Sequence, residues 1–309
     1  MPASTSGRGD TSGQGFVLKK LFRFWVRQVC RIKKGKSGGH LPRCLSQEIN
    51  MNISEIRNLE KKAADGWVAN EISEYDGWEM RFGNGYTGRA NSISVFEDST
   101  KRMEDKVVYC ENLYKAHGLP CNFKVTECDK ELSDFLLNRG YKVVTPTDVM
   151  ILDTEGNDFA KVLSDEGFED NSKAIPNVSY SSNPSKWFDP YFEFEGFTDE
   201  KKIEAYKQFH ANTKIEKLYV TLMHEENAAA VASCAIEDGY SLLHNVIVDK
   251  KYRGLGLGKK LCLAAILKSK EMGAKYSYLQ VIKDNDVAVN LYKKLGFKKV
   301  YEYCYLKQA

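Results

Sequence analysis

Residues 242–272 read LLHNVIVDKKYRGLGLGKKLCLAAILKSKEM, and this stretch decides the fold. Leu242 to Val248 is apolar and branched enough for a largely buried strand. It runs into a turn with glycine at 254, 256 and 258. Beyond the turn Leu257, Leu261, Ala264, Ala265 and Met272 fall at i, i+4, i+7, i+8 and i+15, the stripe of an amphipathic helix, and Gly273 stands where that helix ends. Strand, glycine-rich turn and helix together can cradle phosphate. The helix start offers unpaired N–H groups and the positive end of its dipole, and glycine lets an anion approach the backbone. Arg253 and Lys259 add positive charge at the same turn.

Two phosphate-binding motifs are excluded by single positions. A nucleotide-triphosphatase loop needs Gly, four residues, then Gly-Lys-Ser/Thr, but Arg253 takes the first glycine position and Lys260 the hydroxyl position. The dinucleotide fingerprint starting at Gly254 requires glycine at 259, which is Lys259, and it would open a βαβ unit rather than fall late in the chain.

About thirty residues on, Ala288, Leu291, Tyr292 and Leu295 line one face of a helix closed by Gly296-Phe297. An offset of 156 aligns this helix and the strand Ser277–Val281 with Cys121–Val125 and a helix carrying Leu132, Phe135, Leu136 and Arg139, closed by Gly140-Tyr141. Extended runs follow both, 142–152 and 298–306. The chain therefore reads as a mixed α/β protein with two related domains in tandem: 51–155, a linker over 156–174, and 175–309.

Two motifs carry a resemblance. Arg253-x-x-Gly256-x-Gly258 after the Val246-Ile-Val248 strand resembles the pyrophosphate motif R/Q-x-x-G-x-G/A of the GNAT N-acetyltransferases. Asn285-x-x-Ala288-x-x-x-Tyr292-x-x-x-Gly296-Phe297 resembles that family's second motif, in the right order and at the right distance. Upstream, Asp76-Gly-Trp78-Glu-Met-Arg81-Phe with Gly85-Tyr-Thr-Gly-Arg89-Ala-Asn-Ser92 looks like the first half of a tandem-GNAT family, in which an altered domain precedes the active one. This half has no R-x-x-G-x-G between Ser92 and Cys121, and Leu136 stands where Tyr292 stands in the second, so it is expected to have lost the cofactor site.

The resemblance implies an acetyl-CoA-dependent acyltransferase that moves an acetyl group to a primary amine by direct attack on the thioester. Val246 and Val248 would hold the pantetheine arm through their backbones, as an added strand would, and the amides of Val246 and Ile247 would face the developing oxyanion. Arg253 to Lys259, that is Arg253, Gly254, Leu255, Gly256, Leu257, Gly258 and Lys259, would hold the pyrophosphate. Tyr292 would protonate the departing thiolate. Asn285 suits a helix cap and, by the resemblance, also a pantetheine contact. For the amine's proton the sequence offers His244, Glu237 and Ser241; His244 shares strand parity with Val246 and Val248, whereas many relatives place a carboxylate where Ser241 stands. The alternative to an enzyme is a regulatory module that binds acetyl-CoA without turnover. The acceptor is open between a small molecule and a peptide amine.

Charge and cysteine usage bound the rest. The net charge of +3 conceals ten Lys/Arg against Asp10 and Glu48 in residues 1–50, which leaves 51–309 at about −5. A mildly acidic body has no long basic stripe for nucleic acid. Within the leader, Phe22, Trp25, Val26 and Val29 among basic residues would form a cationic amphipathic helix over Phe16–Lys36, a targeting segment or surface anchor; the alternative is a translation start at Met51. No run of 18 apolar residues suits a membrane span. Eight cysteines without CxxC or paired metal-type spacing predict a reducing, cytoplasmic setting and no metal site. Cys234 and Cys262 are expected to be buried structural thiols, and Tyr301, Tyr303 and Tyr305 to share one face of a strand. Trp78, Arg81, Tyr86, Arg89 and Asn91 are dense in groups able to recognise a polar ligand or to brace the partner domain, and of the two a place at the domain interface is the reading preferred.

Overall fold

The computed structural model describes residues 51–168 and 175–308. The cationic helix expected over 16–36 lies outside the described residues. α1 (Ile53–Asp65) starts at Asn52, whose side chain accepts the Glu55 amide at 3.0 Å while Glu55 accepts the Asn52 amide at 2.7 Å, a reciprocal cap. There follow β1 (Glu71–Tyr75), β2 (Trp78–Phe82), β3 (Ile93–Val95), α2 (Met103–Ala116), β4 (Asn122–Thr126), α3 (Lys130–Asn138) and β5 (Lys142–Asp153). α4 (Asn157–Asp165) falls in the interval read as a linker. The second set is β6 (Val178–Ser181), α5 (Ser185–Glu195), α6 (Glu200–Asn212), β7 (Glu216–His224), β8 (Asn227–Glu237), β9 (Tyr240–Val248), α7 (Leu257–Glu271), β10 (Tyr276–Ile282), α8 (Asp286–Lys294) and β11 (Lys298–Lys307). The succession from β3 to β5 recurs from β9 to β11, as the internal repeat predicts.

All eleven strands join one mixed sheet in the order β1-β2-β3-β4-β11-β5-β10-β9-β8-β7-β6. The two halves exchange their last strands. β11 lies antiparallel to β4, from Tyr303↔Thr126 to Lys307↔Asn122, and β5 lies antiparallel to β10, from Tyr276↔Asp153 to Ile282↔Thr147. The cores record the exchange: Cys304 and Leu306 of β11 are buried with the first half, and Met150 and Leu152 of β5 with the second, where Phe159 and Leu163 of α4 join them.

β5 carries Pro146, which cannot donate to a ladder. The register between β5 and β11 skips at that point, between Thr147↔Tyr303 and Val144↔Tyr305, and Thr145 takes φ +52. The strand is thus bent by a bulge where its hydrogen-bonding is interrupted. α1 crosses the junction, with Ile56, Leu59 and Ala63 packed on Val149, Ile151, Tyr278 and Tyr301. Its Glu60 accepts the Tyr301 hydroxyl at 2.7 Å and pairs with Lys124, so one carboxylate ties both halves. No helix among the described residues is long and apolar enough to cross a membrane.

Candidate active site

β9 and β10 are parallel neighbours only from Tyr240↔Tyr276 to Leu242↔Tyr278 and then part. On its other side β9 stays paired with β8 out to Val248↔Ala230. Among the described residues, the backbone groups of 243–248 that face the gap therefore have no strand partner, an open edge suited to an extended ligand. Between His244↔Ser233 and Ile247↔Val231 the register slips by one, so Asn245 and Val246 oppose the single Ala232. Asn245 takes φ +53 in this bulge, and its Nδ2 donates to Ser233 Oγ at 3.1 Å. The bulge breaks the expected parity of His244 with Val246 and Val248. Leu243, His244, Asn245 and Val246 all line one cavity of about 620 Å³ in the gap.

The glycine turn follows β9 directly. Gly254 and Gly256 take φ +85 and +73, which glycine adopts without strain, and Gly256 is the residue that starts α7. Gly258 has an ordinary φ, and an added Cβ would meet Val248 and Leu291 at 3.5 and 3.6 Å, so its requirement is the weakest of the three. The amides of Gly256, Leu257 and Gly258 donate to no acceptor among the described residues. Leu255 stands exposed at the turn, Leu257 turns into the core, and Arg253 is exposed with Nε 3.3 Å from the Val248 carbonyl. Lys259 is held by Glu166 from beyond α4, so its charge is shared.

On the far wall, Asn285 caps α8 by accepting the Ala288 amide at 3.2 Å and lines the cavity with Ala288 and Tyr292. Tyr292 is 8% exposed, edge-on to Phe297 at 5.8 Å, and its hydroxyl has no hydrogen-bond partner among the described residues. Burial lifts its pKa well above the ordinary tyrosine value, so the hydroxyl keeps its proton at neutral pH. Tyr303 and Tyr305 line the same cavity from β11, while Tyr301 turns to Glu60.

His244 is buried, edge-on to Trp67 at 5.7 Å, with Nε2 3.2 Å from Lys217 Nζ and Nδ1 unpartnered among the described residues. Burial, then the positive charges of Lys217 and Arg89, hold its pKa well below the usual imidazole value. Burial likewise lowers Lys217 to about 7; among the described residues its ammonium otherwise meets only the Gly66 carbonyl, at 2.9 Å. An imidazole held in its neutral form and a lysine that can lose its proton near neutrality thus sit in contact. The other two candidates are elsewhere: Ser241 bonds Ser269 at 2.9 Å beneath α7, and Glu237 lies near Lys62 at 3.9 Å. Cys234 and Cys262 are buried thiols with pKa values raised by burial, as expected of structural cysteines.

The first-half cluster divides. Trp78 belongs to its own half's core. Arg81 is buried and donates to the carbonyls of Arg89, at 2.9 Å, Ala64, at 2.8 Å, and Trp67. Asn91 accepts the amides of Gly83 and Gly85 at 2.8 and 2.9 Å, which shapes the loop between β2 and β3. Tyr86 reaches Asp199 at 3.2 Å across the halves. Arg89 crosses too: its guanidinium lies 4.5 Å over Trp67 and 3.5 Å from Asn245 Oδ1, in the wall of the cavity. Glu195, at the end of α5, is the sole carboxylate in that wall among the described residues, and sequence reasoning missed it. It is open to solvent yet set in a concavity, where desolvation raises its pKa against the pull of Lys202 and Arg89.

Comparison with known proteins bears on this geometry. A family model described as "Probable histone acetyltransferase Rv0428c C-terminal" matches residues 53–306. The "Uncharacterized N-acetyltransferase YobR" of Bacillus subtilis is 29% identical over 255 residues, 82% of this chain and 98% of that one. Among solved structures, a GCN5-related N-acetyltransferase from Kribbella flavida superposes with a TM-score of 0.58 at 14% identity, covering 84% of this chain and 96% of that one. A tandem GNAT protein from the clavulanic acid biosynthesis pathway gives 0.59 at 14% identity, over 85% and 91% of the two chains.

Proposed function

From the premise that the chain belongs to the Rv0428c C-terminal family and is a GNAT N-acetyltransferase, we propose that its second half transfers the acetyl group of acetyl-CoA to a primary amine. The observation that carries this reading is the pairing of two unsatisfied backbone surfaces: the open edge of β9 and the free amides at the start of α7. A pantetheine arm laid along Val246 to Val248 adds a strand to the first, and a pyrophosphate accepts from Gly256, Leu257 and Gly258 at the second, beside Arg253.

The amine nitrogen attacks the thioester carbon, a C–N bond forms, and the C–S bond breaks. Backbone N–H groups at the bulge, near Val246 and Ile247, face the oxygen as it gains charge. Tyr292 gives its proton to the leaving sulfur. The amine's proton passes through water to His244, whose Nδ1 is enclosed. For Nδ1 to accept, Nε2 must carry the other proton and Lys217 must be neutral to receive that hydrogen bond, a state that Lys217's pKa of about 7 makes available. Tyr292, Asn285 and His244 are kept here in the roles the sequence suggested. A cytoplasmic setting fits the buried, unpaired thiols of Cys110, Cys121, Cys234, Cys262 and Cys304.

Thermal unfolding with acetyl-CoA, NADH and ATP tests the cofactor assignment. Acetyl-CoA at 100 times its Kd should stabilise the protein by about 2.7 kcal/mol, and the other two should not. Absence of any shift with acetyl-CoA would remove the assignment.

A further inference from the structure

We infer that the acceptor is an amine carrying a carboxylate, an amino acid or a close analogue, with Arg89 holding the carboxylate and Glu195 meeting the ammonium group. This rests on the acetyl-transfer reading above and names the substrate class of the same cavity.

The argument starts from unpaired arginines. Among the described residues, Arg57, Arg81, Arg102 and Arg139 each stand within 4.0 Å of a carboxylate, at Asp98, Glu79, Asp105 and Glu111. Arg89 and Arg253 have no such partner among the described residues. Arg253 stands at the turn assigned to pyrophosphate. Arg89 stands in the cavity wall, half-buried, with five N–H donors and a single long hydrogen bond to Asn245 at 3.5 Å. Its guanidinium carbon lies 4.5 Å over the Trp67 ring, which holds the group at the cavity wall. A fixed, under-satisfied guanidinium matches a carboxylate in two parallel hydrogen bonds.

Its position makes the match specific. Asn245 forms the bulge where the thioester carbonyl would lie, so an anion on Arg89 is close to the reacting amine. Lys202 and Lys307 also line the cavity, so three cations face the one carboxylate of Glu195. A diamine or a strongly basic peptide would enter against that excess. A zwitterion meets both signs, and the positive surroundings favour the uncharged, nucleophilic form of its amine.

The test uses the full chain, with thiol release from acetyl-CoA measured against each common amino acid beside its decarboxylated amine, such as lysine beside cadaverine, and against a lysine-rich peptide. At least one amino acid should exceed its decarboxylated partner by about 30-fold in kcat/KM. Arg89→Gln should bring that ratio to near one by lowering the amino acid alone, and Arg89→Lys should restore part of it. An equal fall for both members of the pair, or a preference for diamines or the peptide, overturns the inference. If acetyl-CoA binds by thermal shift and no carboxylate-bearing amine is acetylated, this inference falls while the cofactor assignment stands. If acetyl-CoA does not bind, the underlying reading fails first and this one with it.

Discussion

The loop entering α7 and the loop entering α2 occupy matching places in the two halves and are built in opposite ways. At α7 the turn is glycine-rich, its amides donate to nothing among the described residues, and an external anion can complete it. At α2 the protein supplies its own anion. Asp76, 9% exposed at its side chain, accepts the Thr100 amide at 3.0 Å, the Lys101 amide at 2.9 Å and the Thr100 hydroxyl at 2.7 Å, and pairs with buried Lys106 at 3.2 Å. These contacts, led by the Lys101 amide, hold the Asp76 carboxyl far below the usual carboxylate range. A carboxylate from the β1–β2 turn thus closes the loop that enters α2, whereas the loop entering α7 leaves its amides open among the described residues. The contrast extends to the buried lysines: Lys106 has its carboxylate, whereas Lys217 in the second half has none among the described residues and titrates near neutrality.

The strongest way to break this comparison is to put a carboxylate into the second turn. Gly256→Glu should weaken acetyl-CoA binding by about 1000-fold or more, since like charges brought together cost several kcal/mol. Gly256→Ala carries the same left-handed strain, about 1–2 kcal/mol, without the charge, and should keep most of the affinity by calorimetry. If both variants bind equally, the turn does not hold the phosphates.

Next in size is the exchanged pair Tyr292 and Leu136. Tyr292→Phe should lower kcat about 100-fold with acetyl-CoA affinity unchanged, as loss of a proton donor requires. Leu136→Ala, at a fully buried position, should instead cost about 2–5 kcal/mol in urea unfolding and leave turnover per folded molecule intact. A stability loss without a rate loss in Tyr292→Phe would make that tyrosine a core residue like its counterpart.

Asp76→Ala should destabilise the protein at pH 7 without touching acetyl-CoA affinity. Asp76 has a depressed pKa in the folded state, so its stabilisation is present above the unfolded carboxylate value near 4 and is lost as pH falls below it. The gap between wild type and Asp76→Ala in denaturant midpoint should close between pH 5 and pH 2. Lys217 tests the same linkage at higher pH. Its folded pKa lies below the unfolded one, so stability should climb as pH rises from about 7 toward 10.5, and Lys217→Met should flatten that climb. The same substitution should alter the pH–rate profile of acetyl transfer about threefold near pH 7.

What the sequence made legible was local. Gly254 and Gly256 announce a turn because few other residues take their φ, and Asn285, Tyr292 and Gly296 keep a helical spacing that survives any tertiary arrangement. The bulge at Asn245 left only a faint trace, an asparagine inside an apolar strand, and it overturned the parity that joined His244 to Val246 and Val248. Arg89 and Glu195 were illegible as a pair because they meet only after Asn91 has folded its loop and α5 has brought its last residue to the same cavity. The strand exchange left no local mark. β5 and β11 both read as extended runs with an apolar face, and which neighbour each takes is decided by long-range pairing.

That exchange sets a timetable for synthesis. β4 ends at Thr126, but the strand that covers its edge begins at Lys298, so on the ribosome the first half waits with an open edge while the whole second half is made. At about 5–20 residues per second the wait is on the order of ten to thirty seconds, long against the microseconds to milliseconds in which strands find partners. During it β5, already present, is free to take the place beside β4 that β11 later claims. A chain that took that pairing would have to release it before β11 could enter between β4 and β5. Chains stalled before Tyr276 should show β5 hydrogen-exchange protection that lapses when synthesis resumes and returns once β11 is made, whereas β5 amides that stay unprotected until β10 is made would mean β5 waits unpaired for β10.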